Sequence, residues 1–216
     1  MQQVWPLFGL RLQTERLVLR LPTGEEAVTL ASLAPPDLET DPAWPAPPGA
    51  DQPTATEVMQ WWWRALGTWK VESWRLPLGV WLDGEPVGFQ ELEAERFGLL
   101  RTVETSSWLV HEVRGRGIGT EMRAAVLALA FGHLGAEVAT SGAWETNVGS
   151  LGVSRSLGYE ANGELRHAHR DRVGVMRRVR LPRASWDGAR YEVAVHGLDA
   201  CRGWFGEGSH PPIRRR

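Results

Sequence analysis

The sequence predicts an α/β chain of the α+β type, with one mixed, mostly antiparallel central sheet flanked by helices. Three observations predict it. Apolar and polar residues alternate with a strand period in the first third, and two further strands are joined by a hairpin signal, Asp83-Gly84-Glu85-Pro86. A glycine-rich turn in mid-chain follows a strand and opens a long apolar helix. After that helix the pattern reads strand, helix, strand, too irregular for a doubly wound parallel sheet.

The elements follow in order. Leu10–Leu21 alternates from Arg16 onward and predicts a half-buried strand. Thr23-Gly24-Glu25-Glu26 reads as a capping box leading into a helix over Ala27–Leu33. Half of the fourteen prolines fall between Pro35 and Pro53, so that stretch cannot hold a regular helix and suits a lid or substrate wall. Thr56–Lys70 predicts a helix rich in tryptophan. Leu78–Leu82, Val87–Leu92 and Val103–Val110 predict strands. Thr120–Leu134 predicts a helix with Met122, Val126, Leu129 and His133 on one stripe and Gly135 as its C-cap. Val138–Ala143 predicts a strand, Asn147–Leu157 a helix ended by Gly158, and Met176–Leu181 another strand. Residues 189–206 add a strand and a turn.

With 216 residues, 43% of them hydrophobic and 23% charged, the chain has the bulk of one globular domain, 1–216, with a core at about 10–183 and an extension at 184–216. A net charge of −2 offers no electrostatic case for nucleic acid or a membrane surface. The single cysteine, Cys201, leaves no intramolecular disulfide and fits a reducing cytoplasm. No apolar run approaches a membrane span, and Met1–Pro6 does not read as a signal peptide.

The informative stretch is Val113-Arg114-Gly115-Arg116-Gly117-Ile118-Gly119-Thr120. Its glycines allow positive φ and close backbone approach. The helix start behind them offers unpaired N–H groups and a positive dipole end, and Arg114 and Arg116 add charge. Together they form a cradle for a diphosphate. A dinucleotide fingerprint would need a third glycine where Thr120 stands and a place in the first βαβ unit. A nucleoside triphosphate loop would need Gly-Lys-Ser/Thr, and no lysine is present here.

Arg114, Gly117 and Gly119, on a strand-to-helix turn, resemble instead the coenzyme A loop of the GNAT acyltransferase superfamily. Over residues 10–183 the order of elements is similar too. Thr14–Arg20, Gly119-Thr120-Glu121-Met122, and Asn147-Val148-Gly149-Ser150 followed by Leu157-Gly158-Tyr159 resemble the branch that acetylates ribosomal-protein N-termini. The C-terminal extension resembles an actinobacterial subgroup, some of whose members use acyl groups longer than acetyl. The resemblance implies transfer of an acetyl or longer acyl group, succinyl for example, from acyl-coenzyme A to a primary amine, with acyl-CoA as co-substrate and no metal. The amine would belong to a small molecule, a protein N-terminus or a lysine.

The resemblance also implies residue roles. Backbone groups of Trp108, Leu109 and Val110 would bind the pantetheine arm. N–H groups from Arg114 through Gly115, Arg116, Gly117, Ile118 and Gly119 to Thr120 would hold the diphosphate, and Asn147 and Ser150 would bind from the facing helix. A base must take the amine's proton, with Glu104 first and Glu91 second. Glu121 reads as a first-turn residue favoured by the helix dipole. Ser154 stands where many members carry a tyrosine acid for the thiolate, and a serine is a poor acid.

Twelve tryptophans exceed what packing needs, and Trp61, Trp62, Trp63, Trp69 and Trp74 lie within fourteen residues. Trp44, Trp62 and Trp74 are candidates for a substrate wall. The alternative is a homo-oligomer surface, and at least one of Trp61–Trp63 should be exposed because consecutive helix residues point apart. His167-Ala168-His169 lacks a third metal ligand nearby. Arg166, Arg170, Arg172, Arg177, Arg178, Arg180 and Arg183 read as solvated strand faces, one of which could meet an acyl carboxylate. The competing class of function is a non-catalytic acyl-CoA sensor, in which the cradle persists and no base works.

Overall fold

The computed structural model of the chain describes residues 1–38, 45–169 and 172–206. A 3-10 turn, Pro6–Gly9, leads into β1 (Arg11–Gln13) and β2 (Leu17–Arg20). The alternation predicts one strand; the chain makes an antiparallel pair because Thr14 closes a turn. Its N–H donates to the Leu17 carbonyl (3.0 Å), and its hydroxyl accepts from the Leu17 N–H (2.9 Å). The capping box forms as the sequence predicts. Thr23 Oγ1 accepts from the Glu26 N–H (3.4 Å), Glu26 Oε2 accepts from the Thr23 N–H (2.8 Å), and α1 runs Gly24–Ser32.

The helix α2 spans Pro53–Gly67, with proline in its first turn, where a missing N–H is harmless. β3 (Trp74–Leu82) and β4 (Glu85–Ala94) form the predicted hairpin, with Asp83 and Gly84 both at positive φ (52° and 87°). β3 starts before the predicted strand because Pro77 sits inside it, a residue that argues against strand interior from sequence. A four-residue turn α3 (Phe97–Leu100) precedes β5 (Thr102–Leu109).

The glycine-rich turn then opens α4 (Ile118–Leu127), which continues as a π-helical stretch, Ala128–His133. The wider π turn shifts the stripe by a residue, so Leu134 is buried where His133 was expected, and His133 is exposed. β6 (Val138–Trp144), α5 (Val148–Ser156), β7 (Glu160–His169), β8 (Arg172–Pro182) and β9 (Ala194–His196) complete the order.

The strands form one sheet in the order β7-β8-β6-β5-β4-β3-β2-β1-β9. Among these pairs only β5–β6 is parallel. That pairing ends at Thr105↔Ser141. β5 nevertheless stays paired to β4 as far as Leu109, and β6 stays paired to β8 through Trp144. The two central strands therefore part beyond Thr105 and Ser141 and leave a split in the sheet.

Strand alternation sorts the side chains between two faces. Arg75, Phe89, Glu91, Glu93, Glu104, Ser106 and Trp108 share the face where Phe89 packs with Ala27 of α1 and Trp62 of α2. Leu76, Leu78, Leu92, Val103 and Leu109 share the other face, packed with α4 in the main core. The extension belongs to that core as well. β9 pairs with β1, and Leu198, Cys201 and Phe205 are buried, so the core runs well past 183. Burial pushes the Cys201 thiol up to about 11, which makes it inert.

Candidate active site

The glycine turn has the conformation that its composition implies. Gly115 and Gly117 sit at φ 74° and 80°, and Gly117 is the N-cap of α4. Arg114 donates its N–H to the His111 carbonyl and Thr120 donates to the Gly117 carbonyl (3.1 Å each), so these two ends of the expected cradle are already used. The N–H groups of Gly115, Arg116, Gly117, Ile118 and Gly119 find no partner among the described residues. These five, at the positive end of α4, form a candidate anion site.

Side chains brace this turn. Glu121 accepts from Thr14 Oγ1 (2.5 Å), the Arg16 N–H (3.2 Å) and Arg16 Nε (2.7 Å), while Arg16 Nη1 donates to the Arg116 carbonyl (3.2 Å). Glu121 is thus a clamp between β2 and α4. Arg114 does not face the cradle freely. It holds Asp37 through two hydrogen bonds (2.8 and 3.1 Å) and donates Nε to the Leu109 carbonyl (3.0 Å), tying the turn to the proline-rich segment and to β5. Arg114 and His111 hold the Asp37 carboxyl below the usual carboxylate range.

α5 closes the far wall. A Cβ on Gly119 would lie 3.2 Å from Val153 Cγ2, so this glycine is where α4 and α5 meet. Thr120 Oγ1 and Ser156 Oγ are 3.2 Å apart. Asn147 Oδ1 caps α5 by accepting the Ser150 N–H (3.0 Å), leaving its amide N–H groups for other work. We expect Gly117→Val to weaken binding of a diphosphate-bearing ligand by ~10- to 100-fold without unfolding the chain, since a β-branched residue at positive φ is strained by ~1–2 kcal/mol or more. Titration calorimetry with circular dichroism checks it.

The split supplies the backbone groups expected for the pantetheine arm, with one shift. The Thr105 carbonyl points toward β6, where Ser141 Oγ reaches it at 2.8 Å. By alternation the backbone of Ser107 and Leu109 faces the opened side. Val110 donates its N–H to the Val87 carbonyl (3.0 Å) of β4, and the Trp108 carbonyl lies against Gly88. Of the three residues expected there, Leu109 alone presents its backbone to the split, and Ser107 is the residue that strand parity adds.

On the α1–α2 face the two candidate bases differ sharply. Glu104 is held by Arg178 through paired hydrogen bonds (2.7 and 3.0 Å), so both of its carboxyl oxygens are engaged. Glu91 is 2% exposed, accepts from Ser106 Oγ (3.1 Å), and has Arg75 only at 3.9 Å. Its Oε1 has no hydrogen-bond partner. Burial first, and the neighbouring Glu93 second, push its carboxyl up to about 8. Burial raises Glu93 as well.

The tryptophans separate by face. Trp62 is buried against Ala27 and Phe89, Trp61 packs edge-on against Phe89, and Phe89 stacks on Trp108. Trp63 is 60% exposed. Trp74 cannot be a substrate wall. Its parity on β3 puts it on the α4 face, where it is buried among Trp69, Phe97 and Phe205. Trp44 and Arg170 lie outside the described residues.

Ser154 is no acid either. It is buried, its hydroxyl donates to the Ser150 carbonyl (3.1 Å), and it accepts from Arg123 Nη1 (2.8 Å). Arg177, Arg178 and Arg180 are each paired with a glutamate, and His167 packs edge-on against Trp144. Sequence reading passes over Arg123. Its signal is a lone basic residue between Met122 and the run Ala124-Ala125-Val126-Leu127.

Residues 16–160 match the family described as Acetyltransferase (GNAT) domain. Among solved structures, Mycobacterium smegmatis RimJ in complex with CoA-disulfide is 21% identical, with TM-score 0.65, over 90% of this chain and 93% of that one. A chimera of spermidine N-acetyltransferase SpeG from Vibrio cholerae and hSSAT is 12% identical, with TM-score 0.62, over 79% of this chain and 97% of that one. The protein yncA from Salmonella typhimurium, solved with acetyl-CoA, is 15% identical, with TM-score 0.55, over 78% and 94%. At these identities the likeness is one of fold.

Proposed function

The chain belongs to the GNAT acetyltransferase family and has its fold, and from that premise we propose that it moves an acyl group from acyl-coenzyme A directly to a primary amine. The observation that carries the reading is the split between β5 and β6. It opens between the unpaired N–H groups of the glycine turn and a buried carboxyl, Glu91, on the adjoining strand.

The residues fit this co-substrate. The free N–H groups of Gly115–Gly119 suit a diphosphate, and the backbone of Ser107 with the N–H of Leu109, on the split side by strand parity, suits the amides of a pantetheine arm. Asn147 offers its amide from the facing wall. The coenzyme A disulfide on Mycobacterium smegmatis RimJ and the acetyl-CoA on yncA support the same occupant.

An amine attacks a thioester only as the neutral species, so a base must hold its proton. Glu91 takes that role. A carboxyl pushed up to about 8 binds a proton near neutral pH, where an ordinary carboxylate would not. Glu104, ion-paired with Arg178, shapes the charge of the acceptor face instead. A backbone N–H in the split donates to the carbonyl oxygen as negative charge develops there.

We assign acetyl as the donor group. The acetyl-CoA bound to yncA and the family description support that choice. The sequence resemblance to the branch that acetylates ribosomal-protein N-termini supports a protein N-terminus as acceptor, with the exposed Trp63 placed to meet it or a second copy of the chain. We propose a cytoplasmic enzyme, in keeping with the single cysteine.

The test is mass spectrometry of the acyl-CoA that co-purifies, followed by thiol release against a panel of peptides, lysine derivatives and polyamines. An acetyl-CoA mass and amine-dependent thiol release are the expected result. Bound coenzyme A with no turnover on any amine would make the chain an acyl-CoA sensor. Nucleotide binding that coenzyme A does not displace would sink both readings.

A further inference from the structure

We propose that Arg123 holds the negative charge of the departing coenzyme A thiolate, so that no acid need protonate it; this rests on the acyl-coenzyme A reading above. Arg123 lies on α4 and is 2% exposed. Nη1 donates to Ser154 Oγ (2.8 Å) on α5, and Nη2 reaches Ser107 Oγ (3.5 Å) on β5. Nε is buried and has no partner. No carboxylate among the described residues forms a salt bridge with it. The titratable group that faces it is Tyr159, whose phenol burial pushes up and so keeps neutral.

A buried guanidinium without a counter-charge is costly, and a protein interior keeps one only where something else compensates it. The surroundings say what that is. Ser107 lies two residues beyond the last β5–β6 pair at Thr105↔Ser141, so by strand parity its backbone faces the split. The guanidinium therefore sits at the floor of the split, close to its apex. The arm of an acyl-coenzyme A whose diphosphate sat on the glycine turn would run along the split toward it.

Ser154, at the position of the missing acid, turns its hydroxyl proton away to the Ser150 carbonyl and offers its oxygen to Arg123. It positions the cation. Burial lowers the Arg123 pKa, yet a guanidinium stays charged at any working pH.

The amine nitrogen forms a bond to the thioester carbonyl carbon, and the amine's proton passes to the Glu91 carboxylate. The carbon–sulfur bond breaks, and its electron pair stays on sulfur. The thiolate leaves opposite Arg123 and takes a proton from water after release.

Ultraviolet titration of the thiolate of bound coenzyme A, with the desulfo-coenzyme A complex as background, tests this in the full chain. In the wild type the bound thiol should ionise at least about one pH unit below free coenzyme A, a tenfold change in its acidity. Arg123→Lys should keep part of that shift. Arg123→Gln should lose it while holding desulfo-coenzyme A within a few-fold of wild-type affinity, and its kcat should fall on the order of tenfold or more with KM little changed.

An unshifted thiol in a wild-type complex overturns the proposal and leaves the acyltransferase reading standing. So does a shift that survives in Arg123→Gln. Selective loss of succinyl-CoA turnover in that variant, with acetyl-CoA turnover intact, would assign the cation to an acyl carboxylate and also overturn it. Failure to bind coenzyme A removes both readings. Should Arg123→Gln not fold, the wild-type titration still decides, and Ser154→Ala should give an intermediate shift.

Discussion

Replacing Glu91 with glutamine should lower kcat by ~10²- to 10⁴-fold and leave the affinity for coenzyme A nearly unchanged. Glutamine keeps the shape and the Ser106 contact but cannot take a proton. The diphosphate cradle at the start of α4 contains no part of Glu91, so donor binding should not respond. Glu104→Gln is the contrast, with an effect of a few-fold at most, because both oxygens of Glu104 are engaged by Arg178 and neither faces an amine freely. Thiol-release kinetics on both variants decides the matter, and the reverse pattern would hand the role to Glu104.

The same carboxyl should shape the pH dependence of rate and stability. As a base it works unprotonated, so the wild-type rate should climb as pH rises through about 8. For stability the folded pKa lies above the ordinary value of 4.5, so the folded chain binds the extra proton between 4.5 and about 8. Stability is then fully present below 4.5 and falls as pH rises through about 8. Calorimetry at about pH 9 should find Glu91→Gln more stable than wild type, by several degrees, and the two alike at about pH 4.

Local chemistry made part of this site legible in the sequence. Positive φ at Gly115 and Gly117, the Thr23–Glu26 capping box and the Asn147 cap of α5 depend on residues within a turn of each other. The split does not. It is a difference between which residues of β5 and β6 pair, and those partners, Thr105 and Ser141, stand far apart in the chain.

The ranking of Glu91 over Glu104 depends on Arg178, which arrives through β8, and on the burial of Glu91 beneath the α1–α2 face. Parity separates Trp62 from Trp74, yet only the assembled sheet says which face each strand presents to which helices. Arg123 carries meaning only once Ser107 and Ser154 converge on it.

Trp74→Ala should cost ~3–5 kcal/mol, a large share of the ~5–15 kcal/mol that holds a typical domain, and urea unfolding should show it as a lowered midpoint. Trp74 is wholly buried, stacked on Trp69 (centroids 5.9 Å apart) and edge-on to Phe97 (5.5 Å) and Phe205 (5.0 Å). Trp69 and Trp74 stand five residues apart, after α2 and at the start of β3, while Phe205 arrives from the far end of the described chain in the last 3-10 turn, Arg202–Phe205. Trp69 Nε1 also donates to the Trp204 carbonyl (3.2 Å).

A cavity at Trp74 would therefore loosen the C-terminal turn and, with it, the β9 strand that edges β1. Trp63→Ala, at an exposed site of α2, should change stability by about 0.5 kcal/mol or less. That contrast separates the two roles that one composition suggests. If Trp74→Ala costs less than about 1 kcal/mol, the cluster is not what fastens the C-terminal segment, and residues 194–205 must be held chiefly by the β1–β9 ladder.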